Sequence, residues 1–355
     1  MISRRQLLAG LAGTAATALL ARPAASAEAN LLSWPSRVIQ LPAAEGQQPP
    51  VVTAVRLHPA GRWLATAGDD HLVCVWDVTE GRLVHKLVGH TDWVRTVDYS
   101  PDGSLLASAG NDRRIVLWDA TSGDKRDDFA THDHAIAAIH FSHDGTRLAA
   151  VGFEGTIKLY DVTAKRLLAE PAAPCRDMRA VAFSPDDSLL AAAGRCGTMR
   201  ILSTDRGQLV RDVPAHRQRV RAISFSPDGT YIASAGEDRL IHVLPLAEGR
   251  SGFTFPSRPA KVLALAFYGP RQLAVAGSDN LVRLWDVAEQ RETGVLAGHT
   301  GTIAALECQG KVLISAGYDT TVRVWNVTDH VAKATPPAMP RISQPARTQI
   351  VPRRR

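Results

Sequence analysis

Neither end of this 355-residue chain contains an acidic residue, although the chain has 35 of them. Residues 1–27 and 331–355 carry only basic charges, and the isoelectric point of about 9.3 comes from these two ends. Residues 28–330 are slightly acidic, with a net charge of about −3. A nucleic-acid-binding domain would need basic charge on its folded body, so this pattern argues against a nucleic acid partner.

Cofactor motifs and membrane spans are also missing. The sequence has no Cys-x-x-Cys pair, no haem-attachment motif and no glycine-rich phosphate loop, so it indicates no cofactor. The uncharged run Leu7–Leu20 is shorter than the ~20 residues that span a bilayer. No other segment is as apolar, and the mature chain is therefore predicted to have no transmembrane segment.

Residues 1–27 have the parts of an export signal. Arg4 and Arg5 precede the apolar run, and a small-x-small cleavage pattern ends at Ala27. The stretch around the two arginines resembles a twin-arginine (Tat) signal, and an ordinary Sec signal with two chance arginines is the alternative. Both interpretations predict a bacterial chain, cleaved near Ala27, that is periplasmic or secreted.

The C-terminal residues 331–355 contain five prolines and no aromatic residue. Such a segment buries too little apolar surface to fold alone, so we predict a disordered basic tail. A weak tether to an acidic surface is the alternative role. The domain division is then a signal over 1–27, a short segment over 28–35, a folded domain over 36–330 and the tail.

The folded domain is one unit repeated seven times. The residues that close successive units are separated by 42, 42, 42, 42, 41 and 40 residues. These residues are Trp76, Trp118, Tyr160, Leu202, Leu244, Trp285 and Trp325. A fixed period of this length is typical of repeat architectures.

Turn signals recur in phase within the units. They stand at Ser100–Gly103, Ser142–Gly145, Ser184–Asp187 and Ser226–Gly229, mostly as Ser-Pro-Asp-Gly. Proline sets φ for the first corner of such a turn, and glycine accepts a positive φ. Short β-branched runs flank each turn, and no helical period of similar length competes, so we predict an all-β fold.

The period, with Trp-Asp at the end of the unit, resembles the WD40 repeat over residues 36–330. The dipeptide stands at Trp76-Asp77, Trp118-Asp119 and Trp285-Asp286. The resemblance implies a seven-bladed β-propeller with four-stranded blades around a channel. The seventh unit lacks a fourth strand, so we expect Arg37–Leu41 to pair with Val322–Trp325 and close the ring. We also expect the propeller to be monomeric.

The WD40 resemblance also implies a hydrogen-bonded tetrad of His, Ser or Thr, Asp and Trp in each blade. The matches are His90, Ser108, Asp112 and Trp118, then His216, Ser234 and Asp238, and finally His299, Ser315, Asp319 and Trp325. The same residue types form hydrolase triads. Because the set recurs with the repeat and a nucleophile is needed once, we interpret it as structural and expect no catalytic residue.

In the fourth unit the resemblance aligns Cys196 with the tetrad Asp, and Cys175 with the residue after the tetrad His. Two sulfurs in facing turns predict a Cys175–Cys196 disulfide, which suits an oxidising compartment. Two separate thiols are the alternative, because the one-residue offset could place the Cα atoms too far apart. Cys74 and Cys308 are interpreted as buried apolar thiols.

By the same resemblance, partners bind the face that carries the loops before the first strands. The contact positions are Trp93, Arg95, Asn111, Phe153, Arg179, Arg195, Arg219, Arg221, Glu237 and Tyr318. Arginine and aromatic residues are frequent interface anchors, so we predict docking of an acidic protein segment. Scattered solvated side chains are the alternative.

Two functions remain at this stage. The first is a non-catalytic protein-interaction scaffold in the periplasm or cell envelope. The second is a propeller enzyme, or an accessory subunit of a periplasmic enzyme complex, that uses the channel. The inner-strand positions hold Val, Ala, Ile and Phe, which favours the scaffold. A metal at His132-Asp133-His134 is not expected, because neighbours on an extended strand point to opposite faces.

Overall fold

A computed structural model describes residues 31–32, 37–41, 49–247, 249–257 and 260–327. All regular structure within these residues is β-strand, arranged in seven sheets. The fold is therefore all-β, as the turn spacing predicts. The predicted export signal and the basic tail lie outside the described residues.

The strands follow one another in chain order. The N-terminal pair is β1 (Leu31–Leu32) and β2 (Arg37–Gln40). Blade one contains β3 (Val52–Leu57), β4 (Trp63–Gly68), β5 (Leu72–Asp77) and β6 (Arg82–Val88). Blade two contains β7 (Val94–Tyr99), β8 (Leu105–Gly110), β9 (Arg114–Asp119) and β10 (Lys125–Thr131). Blade three contains β11 (Ile136–Phe141), β12 (Arg147–Gly152), β13 (Lys158–Asp161) and β14 (Arg166–Ala169).

The remaining blades repeat this order. Blade four contains β15 (Met178–Phe183), β16 (Leu189–Gly194), β17 (Thr198–Ser203) and β18 (Leu209–Pro214). Blade five contains β19 (Val220–Phe225), β20 (Tyr231–Gly236), β21 (Leu240–Pro245) and β22 (Phe253–Pro256). Blade six contains β23 (Val262–Phe267), β24 (Gln272–Gly277), β25 (Leu281–Asp286) and β26 (Arg291–Ala297). Blade seven contains β27 (Ile303–Gln309), β28 (Val312–Gly317) and β29 (Thr321–Asn326).

The blades form a closed ring around a central channel. The first strand of each blade contacts the first strands of both neighbours, and β27 of blade seven contacts β3 of blade one. Each blade is an antiparallel meander from this inner strand outward. The architecture is a seven-bladed β-propeller.

The hydrophobic core is divided into layers between neighbouring blades. Each buried cluster draws its side chains from two adjacent blades, as Leu117 of blade two packs with Phe141 of blade three. The second strand of every blade has both faces covered, and its sequence is therefore rich in alanine instead of alternating apolar and polar residues. Full burial of one leucine or phenylalanine in such a layer contributes about 1.5–3 kcal/mol.

A glycine ends each second strand because the inner strand passes very close to it. A Cβ on Gly110 would lie 2.0 Å from the carbonyl oxygen of Trp93.

The turn glycine Gly103 has a φ of 74°, and the corresponding Asp187 adopts 57°. The Asp187 carboxylate accepts hydrogen bonds from the backbone N–H groups of His143 and Asp144, at 2.8 Å each. This aspartate therefore links the turns of blades three and four.

The two N-terminal strands pair with the outer edges of blades seven and six. Strand β2 pairs antiparallel with β29, with Arg37 opposite Val324 and Gln40 opposite Thr321. This is the fourth strand that blade seven otherwise lacks. Strand β1 adds a parallel strand to the outer edge of blade six, against β26. The short segment before the first repeat thus joins two neighbouring blades.

Candidate functional site

The top face of the ring carries the loops before the inner strands and the turns between second and third strands. In blade two these two segments meet through a complete tetrad. His90 contacts Asp112 Oδ2 through Nδ1 and Ser108 Oγ through Nε2, both at 2.7 Å. Trp118 Nε1 donates to the same Ser108 Oγ at 2.7 Å. The four side chains fix the position of the loop on the blade.

Blade seven has the same arrangement, with His299, Ser315, Asp319 and Trp325. Its three contacts measure 2.8 Å to Asp319, 2.7 Å to Ser315 and 2.8 Å from Trp325 to Ser315. Burial lowers the pKa of His299. Burial acts to raise the pKa of Asp319, but hydrogen bonds from the Thr300 N–H and other groups, together with the nearby His299, hold it below its usual value.

Two other blades keep part of the network. In blade five, His216 contacts Asp238 at 3.0 Å and Ser234 at 2.9 Å, and a leucine occupies the tryptophan position. In blade three, the Tyr160 hydroxyl lies 2.9 Å from His132 Nε2, so the tyrosine reaches the histidine without a serine between them. These sets recur around the ring at equivalent positions, which is what a structural role requires.

Blade four contains a disulfide in place of the His–Asp contact. Cys175 and Cys196 are bonded, with their Cα atoms 6.0 Å apart. Their one-residue offset from the tetrad positions is therefore compatible with a bond. Cys74 and Cys308 are free and only partly buried, and burial raises the pKa of their thiols to about 11 and about 12.

Five of the predicted contact residues, four arginines and Glu237, form one charged group with Asp177. We call this group the mouth cluster, and it consists of Arg95, Arg179, Arg219, Arg221, Asp177 and Glu237. Three of its arginines are the second residue of an inner strand, in blades two, four and five. Arg179 and Arg221 line the central channel, whose volume is about 510 Å³.

Ion pairs connect the mouth cluster across blades. Arg219 contacts Asp177 at 2.8 Å and Glu237 at 3.2 Å, so it bridges blades four and five. Arg179 Nε lies 2.5 Å from Asp177, and Arg221 lies 2.7 Å from Glu237. The Arg95 guanidinium donates to a neutral acceptor, the side-chain oxygen of Asn111.

The aromatic ring of Phe153 lies between two guanidinium groups. Its centroid is 4.5 Å from Arg179 Cζ and 5.7 Å from Arg95 Cζ. Burial lowers the pKa of both arginines, and the positive charge of Arg221 adds to this effect. The carboxylate of Asp92, outside the cluster, also acts on Arg95. Four arginines therefore face three carboxylates, and the excess positive charge is one that an anion would neutralise.

The other predicted contact residues surround the mouth cluster. The side chains of Trp93 and Tyr318 are 45% and 54% exposed, which is unusual for aromatic residues of this size. Arg195 is exposed, and its backbone N–H donates to the carbonyl oxygen of Asp177 at 3.0 Å. The structure thus brings the predicted arginines of blades two, four and five together, and it adds Asp177 as their shared partner.

The expectation of an apolar inner ring was wrong at one end of the channel. Arg56 contacts Asp98 and Glu307 at 2.6 Å each, and His140 lies 4.0 Å from Asp98. Burial alone would lower the pKa of Arg56, but the two carboxylates outweigh it and raise the pKa. Asp98 also accepts the Phe141 N–H at 2.6 Å. This charged group could not be recognised from the repeat pattern, because blades seven, one, two and three each contribute a single member.

The histidine-rich stretch is also placed differently from the expectation. His132 to His134 follow β10 in a loop and do not lie on a strand. Among the described residues, no three His, Cys, Asp or Glu side chains are arranged to hold a metal ion. The part of the chain that the structure describes also contains no helix able to cross a membrane.

The fold and its recurring tetrads define a seven-bladed propeller of the protein-interaction type. The family model "WD domain, G-beta repeat" matches residues 40–77, 81–119, 123–161, 172–203, 207–243, 249–286 and 290–326. The chain belongs to this WD40 family. WD40 propellers generally serve as non-catalytic scaffolds that bind proteins.

Two curated proteins are similar to short regions of the chain. The chain is 39% identical over 70 residues to Mitochondrial division protein 1 of Mycosarcoma maydis, which covers 19% of this chain and 9% of that protein. It is 33% identical over 73 residues to Mitochondrial division protein 1 of Schizosaccharomyces pombe, covering 21% and 11%. The matches thus span about a tenth of the length of these relatives.

Proposed function

We propose that this protein is a non-catalytic scaffold whose top face docks an acidic segment of a partner protein. The excess of arginine over carboxylate in the mouth cluster is the observation that carries the proposal. A segment rich in aspartate or glutamate would supply the missing negative charge, and Trp93 and Tyr318 would add apolar contact area.

We further propose that docking takes place outside the cytoplasm, in the periplasm or cell envelope. Two independent features support this location. Residues 1–27 have the composition of an export signal. A disulfide within the propeller also suits an oxidising compartment, because thiols are kept reduced in the cytosol.

The charged group at the other end of the channel does not favour an enzyme. Both carboxylates, Asp98 and Glu307, are paired with Arg56. Asp98 also binds the backbone of the next blade. These contacts join the inner strands of blades seven, one, two and three, so neither Asp98 nor Glu307 is free for acid–base chemistry.

The proposal is tested by removing two arginines of the mouth cluster. In the variant Arg95→Gln with Arg221→Gln, Asp177 and Glu237 keep Arg219 as a partner, so neither carboxylate is left buried and unpaired. We expect binding of a fluorescein-labelled octaglutamate peptide to weaken about tenfold, measured by fluorescence anisotropy.

The matched control removes the same charge from the same face. Arg217 and Arg239 are exposed on the top face of blade five and lie outside the mouth cluster. The variant Arg217→Gln with Arg239→Gln should bind the peptide as the unaltered protein does. Equal weakening in both double variants would show that only net charge matters and would contradict a defined docking site.

A partner can be sought by photo-crosslinking in cells. A photoreactive residue at exposed Trp93 should trap a protein with an acidic segment. The same group at Thr121, an exposed turn position on the opposite face, should not trap it. Trapping from Thr121 alone would place the docking surface on the other face of the ring.

A further inference from the structure

The disulfide of blade four lies within the proposed docking face. It joins the loop before β15 to the turn after β16. Cys175 stands two residues before Asp177, and Cys196 directly follows Arg195. The cross-link therefore connects the two segments that carry these top-face side chains.

Asp177 is the residue that this cross-link holds most directly. Its side chain is buried, and its two carboxylate oxygens contact Arg179 and Arg219. Its φ of 64° lies in the left-handed region, which a residue other than glycine adopts only when its surroundings impose it. The position of Asp177 thus depends on what fixes its loop.

The contact that holds the equivalent loop in other blades is missing from blade four. In blades two, five and seven, a His–Asp contact connects the equivalent loop and turn. Blade four has Pro174 and Cys196 at those two positions, so that contact is replaced by the disulfide. The same two segments are also joined by the backbone hydrogen bond from Arg195 N–H to the Asp177 carbonyl oxygen, at 3.0 Å. Further back in the loop, Arg200 donates to the carbonyl oxygen of Ala172 at 2.6 Å.

We propose that the Cys175–Cys196 disulfide positions Asp177, and through it Arg179 and Arg219, for docking, so that breaking it weakens capture of the acidic partner. This inference rests on the proposed function. Cys196 is exposed and accessible to a dithiol reductant. In that reaction the two reductant thiols become a disulfide, and their two electrons and two protons leave Cys175 and Cys196 as thiols.

The test compares two cysteine variants with the unaltered protein. Cys175→Ser with Cys196→Ser removes the disulfide, and Cys74→Ser with Cys308→Ser removes the two free thiols as a control. We expect the first variant to bind labelled octaglutamate about tenfold more weakly and the control to bind it unchanged. Dithiothreitol treatment of the folded unaltered protein should reproduce the loss, which covers the case of a variant that fails to fold.

A second measurement reports on the loop without any partner. Amide hydrogen exchange at Asp177, Arg179 and Arg195 should rise when the disulfide is removed, whereas exchange in the blade-two tetrad should not. Unchanged exchange at these three amides would overturn the proposed positioning. Four free thiols in the unfolded protein, instead of two, would also overturn it.

The outcomes separate the two proposals. If the unaltered protein binds octaglutamate and the variant without the disulfide binds it equally well, docking stands and the disulfide has no positioning role. If the unaltered protein binds octaglutamate no better than octaglutamine, the docking function itself fails. A loss confined to the disulfide variant supports both.

Discussion

A single residue in the second strand decides whether the tryptophan of a blade is hydrogen-bonded. Trp76, Trp118 and Trp325 donate to Thr66, Ser108 and Ser315 respectively. In blade six the corresponding residue is Val275, and the buried Trp285 Nε1 has no hydrogen-bond partner. A buried donor without an acceptor costs about 1–3 kcal/mol.

We predict that the substitution Val275→Thr stabilises the protein. The hydroxyl should accept the hydrogen bond of Trp285, as Thr66 does for Trp76 in blade one, which also lacks the tetrad histidine. We expect the free energy of unfolding to rise by about 1 kcal/mol, measured by urea denaturation. The control is Val275→Ala, which removes volume without adding an acceptor and should destabilise the protein.

Two residue-scale contacts could not be predicted from the sequence. Tyr160 occupies the position of the tryptophan, yet its hydroxyl reaches His132 directly. Asp187 occupies the position of the turn glycine, yet its carboxylate binds the neighbouring turn. In both cases the partner lies in another strand or blade, and the distance between them exists only in the folded chain.

Closure of the ring depends on a single short element, the four-residue strand β2. Ile39 of this strand is 2% exposed and packs in the core layer between blades seven and one. Its neighbour Val38 points outward and is 45% exposed. If β2 closes the ring, a charge should therefore be tolerated at Val38 but not at Ile39.

We predict that a charge at Ile39 destabilises the protein far more than a charge at Val38. Ile39→Asp should destabilise the protein by about 3 kcal/mol or more, because an unpaired carboxylate would be buried in the closing layer. Val38→Asp, with the same chemical change on the exposed side, should alter stability by less than about 0.5 kcal/mol. Thermal unfolding of both variants measures the difference, and equal melting temperatures would argue against closure by β2.

Of the two N-terminal strands, the sequence predicts β2 but not β1. Counting strands shows that the seventh repeat lacks one, and the alternating pattern of residues 37–41 supplies a candidate. Strand β1 has only two residues and gives no periodicity. Its parallel pairing with β26 depends on where the chain passes after the ring has formed.

Acid sensitivity is a property of the whole molecule, because it sums over buried histidines in different blades. Burial lowers the pKa of His132, His140 and His242 to about 4 in each case. In the unfolded chain a histidine titrates near 6.5. Between these values the unfolded state binds more protons than the folded state, so stability falls as the pH drops from about 6.5 towards 4.

The third prediction concerns His242, whose Nδ1 is buried without a hydrogen-bond partner. The variant His242→Leu cannot take up a proton, so its unfolding free energy should fall less steeply between pH 6.5 and 5. The difference in slope is at most about 1.4 kcal/mol per pH unit. Urea denaturation at several pH values measures it, and a slope equal to that of the unaltered protein would contradict the prediction.

The sequence by itself determined the repeat, its phase and the tetrads, because these follow from local patterns with a 42-residue period. The sequence also predicted each arginine of the mouth cluster, one by one, as a contact position on the top face. Only the tertiary structure decided that Arg95, Arg179, Arg219 and Arg221 share two carboxylates, and that a disulfide fixes the loop of Asp177. Charges from different blades interact only after the ring closes, since Coulomb energies depend on distance in space and not on separation along the chain.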